Sequence, residues 1–143
     1  MSSTDNIANV RRLLTEGFSQ GDLGVIDRLV SPDCIEHQNG SQGVGPDAVR
    51  RTAAGLRASF PDLQLEIQDE VADGDKVWVR VRGRGTDTGG VAGRPPSGQH
   101  IEVDVIDIVR FRDGLICEHW GVADRLGMLQ QVGVVPMPGA RRE

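Results

Sequence analysis

The spacing of apolar residues changes at Phe60-Pro61-Asp62, and this change constrains the fold more than any other feature of the sequence. Before it, apolar residues recur every three to four positions, which predicts amphipathic helices, the first capped by Ser3 or Thr4. After it, they alternate with polar residues, which predicts half-buried strands. The predicted helices lie around residues 7–18, 23–30, 46–59 and 126–129, and the predicted strands around residues 63–67, 77–82, 101–111 and 115–120. Three helices, an antiparallel sheet and a last helix form an α+β fold with helices on one sheet face.

The length and charge of the chain argue against several classes of protein. Its 143 residues fit one domain, which we expect to span residues 1–135, followed by a flexible tail over 136–143. Sixteen Lys and Arg against twenty-one Asp and Glu give a net charge of −5, which disfavours nucleic acid as a partner. No apolar run approaches the roughly 20 residues of a membrane helix, so we expect no membrane association. Cys34 and Cys117 stand alone in the sequence, which is typical of reduced thiols in a cytoplasmic protein.

One acidic residue interrupts the apolar face of the predicted sheet. Alternation places Val79, Val105 and Val109 on the face that turns toward the helices. Asp107 is the only charged residue on that face of the two long strands. Because an isolated carboxylate among apolar side chains is costly, Asp107 must be neutral, paired, or open to a cavity that holds water.

A histidine is available as the partner of Asp107. If Arg112-Asp113-Gly114 forms a three-residue turn, His119 lies opposite Asp107, within reach of a carboxylate–imidazole hydrogen bond. A two-residue turn would instead place Trp120 opposite Asp107 and turn His119 away. In the first case His119 would act as a general base and Asp107 would orient it. The same contact is equally consistent with a buried structural pair that has no chemical role.

The other face of these strands mixes apolar and charged side chains. It carries Trp78, Arg80, Arg82, Glu102, Asp104, Ile106, Ile108 and Arg110. A face that is half apolar and half able to form ion pairs suits a partner sheet better than bulk water. We therefore expect a homodimer through this outer face.

A series of short motifs along the chain resembles one known family. The motifs are Phe60-Pro61-Asp62, Gly85-Thr86, Gly93-Arg94-Pro95-Pro96-Ser97-Gly98, Arg110-Phe111-Arg112-Asp113-Gly114, Glu118-His119-Trp120, Asp124 and Gln130-Gln131-Val132-Gly133. In this order they resemble the SnoaL-like polyketide cyclases, a branch of the nuclear-transport-factor-two-like superfamily. The resemblance implies a curved sheet wrapped by three to four helices around an apolar pocket, and chemistry on aromatic polyketide intermediates without a cofactor.

The resemblance also implies where the chemistry would lie. The acid/base aspartate of the cyclases falls at Gly121 of this sequence and their pocket histidine at Asp107, so neither identity is present. The combination of Asp107 and His119 is more similar to the cofactor-independent hydroxylases of the same family, which act on anthracycline precursors. In both reactions a base removes an acidic proton next to a carbonyl. The carbanion then attacks an internal carbonyl, which closes a ring, or molecular oxygen, which leads to a hydroxyl group.

Three kinds of function remain open from the sequence. We expect a cofactor-free enzyme that is either a polyketide cyclase or a related hydroxylase, acting on an anthracycline-type substrate. The alternative is a non-catalytic protein of the same fold that binds a small molecule. In either case Val79, Val105 and Val109 would line the pocket and contact the ligand.

Two polar residues are further candidates for substrate binding. His37 would bind or polarise a substrate oxygen at the pocket mouth, and is otherwise a loop residue in solvent. Asp124 immediately precedes the last helix, where it would either bind substrate or cap the helix.

Two features have weaker alternatives. His37, Asp107 and His119 have no recognisable ligand spacing, so we expect no metal, although the three together could hold one. The glycine-rich segment 85–98 would be either a lid over the pocket or a plain connector.

Overall fold

The computed structural model describes residues 2–139, and the last four residues of the predicted tail lie outside this range. Helix α1 (Ser3–Arg12) continues as a π-helical segment (Leu13–Ser19). The remaining elements are α2 (Leu23–Leu29), β1 (Val30–Glu36), β2 (Gly43–Val44), α3 (Pro46–Ser59), β3 (Gln64–Asp73), β4 (Lys76–Thr86), β5 (His100–Arg112), β6 (Leu115–Ala123) and α4 (Arg125–Gln131). The predicted α+β class is therefore confirmed.

The six strands form one curved, unclosed sheet in the order β2-β1-β6-β5-β4-β3. Neighbouring strands are antiparallel except β1 and β6, which are parallel, so the sheet is mixed and not purely antiparallel as predicted. β1 and β2 were not predicted from the sequence. Pro32 lies within β1 and has no N–H to donate to a neighbouring strand. The register between β1 and β6 shifts around it, between Val30 and Ile35.

The helices lie on one face of the sheet, and the core fills the space between them. Helix α1 packs against β3 and β4, and α3 packs against β1. The valines that alternate along β4 point into this core and are almost fully buried, as the sequence predicts: Val77, Val79 and Val81. Among residues 2–139, no helix is both long enough and apolar enough to span a membrane.

Short polar side chains cap α1 and α2. Ser2, not Ser3 or Thr4, caps α1: its hydroxyl accepts from the Asp5 amide, and the Asp5 carboxylate accepts from the Ser2 amide. Asp22 caps α2 by accepting from the Gly24 amide. The cap of α1 is one residue earlier than predicted because this reciprocal pair needs an acidic side chain three residues after the cap.

The turn between β5 and β6 differs from the prediction and sets the register of the site. It is a two-residue turn of Asp113 and Gly114, both with positive φ (52° and 80°), as a type I′ hairpin requires. A bulge at Cys117 follows, because Arg110 pairs with Glu118 whereas Phe111 pairs with Ile116. Without the bulge, the two-residue turn would place His119 on the outer face of the sheet. The extra residue at the bulge reverses this, so His119 lies on the inner face.

The glycine-rich segment after β4 is anchored to the body of the protein. The carboxylate of Asp87 is buried and accepts from the amide and hydroxyl of Ser97 and from the Gly90 amide. The Gly89 amide donates to the Ser59 carbonyl at the end of α3. These hydrogen bonds favour the interpretation of segment 85–98 as a connector between β4 and β5 over its interpretation as a lid on the pocket.

Candidate active site

An internal cavity of about 530 Å³ lies between the helices and the inner face of the sheet. Its wall is mostly apolar and includes the three predicted residues Val79, Val105 and Val109. The polar side chains of the lining come from β1, the segment 38–42, β5 and β6, and also from α3 and the start of α4. The volume is typical of a small-molecule site, since such sites span roughly 300–1,000 Å³.

Three ionisable side chains form a continuous hydrogen-bonded row in the wall of this cavity. His119 Nε2 donates to Asp107 Oδ1 over 2.8 Å. On the other side of the ring, Nδ1 lies 2.7 Å from both Glu36 carboxylate oxygens. Glu36 and Asp107 are only 8% and 9% exposed. We call these three residues the Glu36–His119–Asp107 triad.

The sheet register explains why the triad forms. His119 pairs with Glu36 across the parallel β1–β6 ladder, so the two side chains are neighbours on one face. Across the β5–β6 ladder His119 pairs with Val109, and it reaches Asp107 diagonally. The predicted contact between His119 and Asp107 is therefore present, but in a different register from the one predicted.

Gly121 leaves the space that the triad occupies. It lies opposite Asp107 in the β5–β6 ladder. A Cβ at this position would stand 2.7 Å from Asp107 Oδ1 and 2.9 Å from His119 Cε1, and would also collide with the side-chain oxygen of Gln38. The space that a side chain at position 121 would occupy is therefore filled by the tips of neighbouring side chains.

The geometry favours the protonated form of His119. Each ring nitrogen faces a carboxyl group, so an imidazolium donates to both partners when the two groups are ionised. Burial opposes this charge, but the hydrogen bonds to Asp107 and Glu36 outweigh it and raise the pKa of His119 to about 9. An imidazolium between two carboxylates gives the triad a net charge of −1 at neutral pH.

Glu36 is the functional candidate that the sequence analysis missed. Its carboxylate also accepts from the Gln38 amide over 2.8 Å, which fixes its orientation beneath the imidazole. The available signal was the alternation of Cys34 and Glu36 around Ile35, which indicates a strand with both residues facing inward.

His37 is not at the cavity mouth, which corrects its prediction as a substrate-binding residue. It follows Glu36 and therefore projects from the opposite side of the sheet, where its Nε2 lies 2.7 Å from Glu118 Oε2. Its ring stacks on Trp120 with 5.1 Å between centroids. Because His37 faces away from Asp107 and His119, these three residues do not converge on one metal position.

Asp124 caps α4 and does not contact the cavity. Its carboxylate accepts from the Gly127 amide over 2.9 Å, and the residue is exposed. It is absent from the residues that line the cavity. The contacts of Asp124 therefore support its interpretation as a helix cap. They do not support the predicted role in substrate binding.

Cys34 lines the same cavity but does not supply a nucleophile. Burial in the apolar wall, reinforced by the charge of Glu36, raises the pKa of the Cys34 thiol to about 12. The thiol therefore stays protonated at neutral pH and acts as a small apolar side chain.

A curved sheet whose helices enclose an apolar cavity, with acid/base groups in its wall, defines a pocket protein of the nuclear-transport-factor-two-like class. Within that class, the chain belongs to the SnoaL-like polyketide cyclase family, whose sequence model matches residues 8–132. The family resemblance expected from the motifs is thereby confirmed.

Known relatives agree with this assignment. The nogalonic acid methyl ester cyclase of Streptomyces nogalater is 23% identical over 124 residues, which cover 84% of this chain and 92% of the cyclase. The structure of TsrD from Streptomyces laurentii superposes with a TM-score of 0.86 at 27% identity, covering 94% of this chain and 99% of TsrD. AclR of Streptomyces galilaeus, described as a candidate hydroxylase, gives a TM-score of 0.85 at 29% identity, covering 96% of this chain and 87% of AclR.

Proposed function

We propose that this protein is an acid/base enzyme that removes a proton next to a carbonyl of an anthracycline-type polyketide. The observation that supports the proposal is the triad itself, in which three hydrogen-bonded ionisable side chains lie in the wall of an otherwise apolar cavity. Charged groups that are buried in this way cost free energy, and their concentration in a cavity is typical of catalytic sites.

The protonation state changes the roles assigned from the sequence. His119 already carries two ring protons, so it is an acid in the resting protein and not the base. Asp107 uses Oδ1 to accept from His119, and within residues 2–139 no hydrogen bond engages its Oδ2. Asp107 is therefore the base in this proposal. Glu36 holds the ring in place and keeps it charged.

These roles describe a complete proton cycle. Asp107 takes the proton from the carbon next to the carbonyl, and the His119 cation stabilises the negative charge that develops on the enolate oxygen. The apolar wall excludes water, which strengthens both interactions. The proton then returns from Asp107 to the product oxygen.

The fate of the enolate distinguishes two reactions. In ring closure the carbanion attacks an internal carbonyl, which is the type of reaction that the cyclase name of the Streptomyces nogalater relative indicates. In hydroxylation it adds to molecular oxygen to give a hydroperoxide, which a separate reductase or thiol, as two-electron donor, reduces to the alcohol and water. The similarity to AclR is the observation that favours this second candidate.

We also propose that the protein is a cytoplasmic homodimer. The outer sheet face exposes Trp78 (44%) on β4 and Ile106 (45%) on β5. The two residues are diagonal neighbours, since Trp78 pairs with Ile108. The ion pairs Arg82–Asp104 and Arg84–Glu102 lie next to this apolar area, toward one end of the same two strands. Such a face is suited to a second copy of the same sheet.

The test is turnover of nogalonic acid methyl ester by the wild type and by Asp107→Asn. The substitution keeps the shape but removes the base, so we expect the rate to fall roughly 10²- to 10⁴-fold. His37→Gln is the matched control, because His37 contacts a carboxylate on the outer face and should leave the rate unchanged. Equal rates for wild type and Asp107→Asn would exclude the mechanism, and binding without turnover by the wild type would identify a binding protein.

Oxygen separates the two enzymatic candidates. Ring closure neither consumes nor needs oxygen, so it should proceed at the same rate in an anaerobic chamber. Hydroxylation should stop there, and mass spectrometry under ¹⁸O₂ should show incorporation of the label.

A further inference from the structure

Gln38 carries a side-chain amide into the cavity beside Asp107. The residue continues the alternation of β1, in which Glu36 turns inward and His37 outward, so its side chain lies on the inner face. There it lines the cavity and is half-buried. Two backbone bonds hold the residue in place. Its N–H donates to Glu36 Oε1 over 2.8 Å, and its carbonyl accepts from the Ser41 amide over 2.9 Å.

The position of this amide distinguishes it from the other amides of the lining. A Cβ on Gly121 would collide with the side-chain oxygen of Gln38 and would stand 2.7 Å from Asp107 Oδ1, so the two side-chain tips are neighbours. Asn39 and Gln42 also line the cavity, but their side chains hydrogen-bond to each other over 3.4 Å. In the described part of the chain, no hydrogen bond engages the side chain of Gln38. Because a half-buried amide without a partner is costly, this one is suited to a ligand.

The triad itself offers no hydrogen-bond donor to a substrate. Both ring nitrogens of His119 face carboxyl groups, and Glu36 and Asp107 only accept hydrogen bonds when they are ionised. The imidazolium therefore stabilises an enolate by its charge, since its N–H groups are already used. The carbonyl oxygen of the substrate is bound to the carbon next to the one that loses its proton, so it lies close to Asp107 during the reaction. Gln38 places a side chain with two N–H donors beside that position.

The amide of Gln38 can turn its donors toward this oxygen. The last torsion of a glutamine side chain is broad and roughly two-fold, so half a turn exchanges Oε1 for the NH₂ group in the same space. Gln38 Oε1 and the Asp107 carboxylate are both acceptors, and two acceptors side by side repel each other. This repulsion favours the orientation in which the NH₂ group faces the reacting end of the cavity.

We propose that the Gln38 side-chain amide donates a hydrogen bond to a ketone oxygen of the substrate and holds the enolate oxygen that forms when Asp107 removes the neighbouring proton. The role of Gln38 in the reaction rests on the proposed function, whereas its role in ketone binding does not. The substrate class is thereby narrowed to ring compounds with a ketone beside an acidic C–H. A donor that is already in place where negative charge develops lowers the barrier, typically by a rate factor of about 10²–10³.

Two probes that differ only in a ketone test the binding role. Isothermal titration calorimetry at pH 7 would compare 2-tetralone with its parent hydrocarbon tetralin. Gln38→Met keeps the length of the side chain but removes the donor, so it should weaken binding of 2-tetralone about 3- to 10-fold without weakening that of tetralin. Gln38→Glu should weaken binding of 2-tetralone at least as much, because an ionised carboxylate has no proton to donate.

The reactive role is tested on the same ketone. Exchange of the C1 hydrogens of 2-tetralone for deuterium, followed by NMR in D₂O, measures proton removal next to a carbonyl. We expect wild type to accelerate this exchange and Gln38→Met to lower its kcat roughly 100-fold. Gln64→Met is the matched control, because Gln64 is an exposed glutamine on β3 outside the cavity lining and should change neither binding nor exchange. Melting temperatures would show that the variants are folded.

Several outcomes would overturn the assignment of Gln38. They are equal changes in the affinity of both probes, no binding of 2-tetralone to wild type, and a slower exchange in Gln38→Met with unchanged ketone binding, which would mean that Gln38 only positions Asp107. If Gln38→Met loses ketone affinity while Asp107→Asn exchanges at the wild-type rate, the proposed mechanism fails and the ketone contact stands. If Asp107→Asn is inactive while Gln38→Met binds and exchanges normally, only the assignment of Gln38 fails.

Discussion

His119 on β6 pairs with Val109 on β5, yet its Nε2 donates to Asp107, which lies two residues before Val109 on β5. The contact is diagonal because the Cys117 bulge displaces β6 by one residue relative to β5. Gly121 lies opposite Asp107, and because it has no side chain, the imidazole of His119 can extend over this position to reach Asp107. The triad therefore depends on a turn, a bulge and a glycine that carry no chemistry of their own.

Glu36→Gln should lower both the pKa of His119 and the rate of turnover. The amide cannot replace the carboxylate charge that stabilises the imidazolium, so the imidazole titration measured by NMR should move from about 9 toward its ordinary value. The rate should fall roughly 10- to 100-fold, because the ring loses orientation and charge. Glu118→Gln is the matched control, since its carboxylate contacts His37 on the outer face. An unchanged His119 titration in Glu36→Gln would contradict the assignment.

The stability of the protein should decrease between about pH 6.5 and pH 9. The pKa of His119 is raised from 6.5 to about 9 by its two carboxylate partners, so folding favours the protonated ring. The stabilisation is complete below pH 6.5 and disappears as pH rises through 9, a loss of about 3 kcal/mol at most. Urea unfolding at several pH values would measure it. His119→Gln should lack this component, and a wild-type curve parallel to that of the variant would refute the prediction.

Gly121→Ala should reduce turnover with little effect on the fold. The added methyl group would lie within 3 Å of Asp107 Oδ1 and His119 Cε1, so these side-chain tips must shift away from each other. Because only flexible side-chain tips move, we expect a stability loss of about 1 kcal/mol. Val122→Ala, one residue further on the outer face, is the control for the rate. A fully active Gly121→Ala would show that the triad geometry is not required.

Ile106→Glu should prevent dimerisation. A carboxylate at this position, opposite Arg80 and diagonal to Trp78, would lose its hydration on burial in the proposed interface. Light scattering at micromolar concentration should then report the monomer mass, against twice that mass for wild type. Val44→Glu, at an exposed residue on β2 away from this face, should remain dimeric. A monomeric wild type would disprove the interface.

Asp87→Ala should loosen the segment between β4 and β5. The buried carboxylate accepts three hydrogen bonds from Ser97 and Gly90, and its removal leaves these donors without partners. We expect a loss of roughly 1–3 kcal/mol and faster amide exchange in residues 88–98. Asp113→Ala, in the β5–β6 turn, would show whether the faster exchange is specific to Asp87. Unchanged exchange in Asp87→Ala would contradict the anchoring.

The sequence by itself determined the α+β class, the two faces of the long strands and the unusual position of Asp107. These follow from periodicity, because each residue's side of a regular strand is fixed by its place in the alternation. It also indicated the family, through motifs in order along the chain, and the pairing of Asp107 with His119, although on a wrong turn length.

Only the tertiary structure decided the remaining features of the site. β1 lies far from β6 in sequence, and its pairing placed Glu36 beside His119 and sent His37 to the opposite face. The bulge at Cys117 could not be anticipated, since it arises from burying both Ile116 and Cys117. The protonation of His119 followed from these placements, because a charge is stabilised by whatever surrounds it in space and not by its neighbours along the chain.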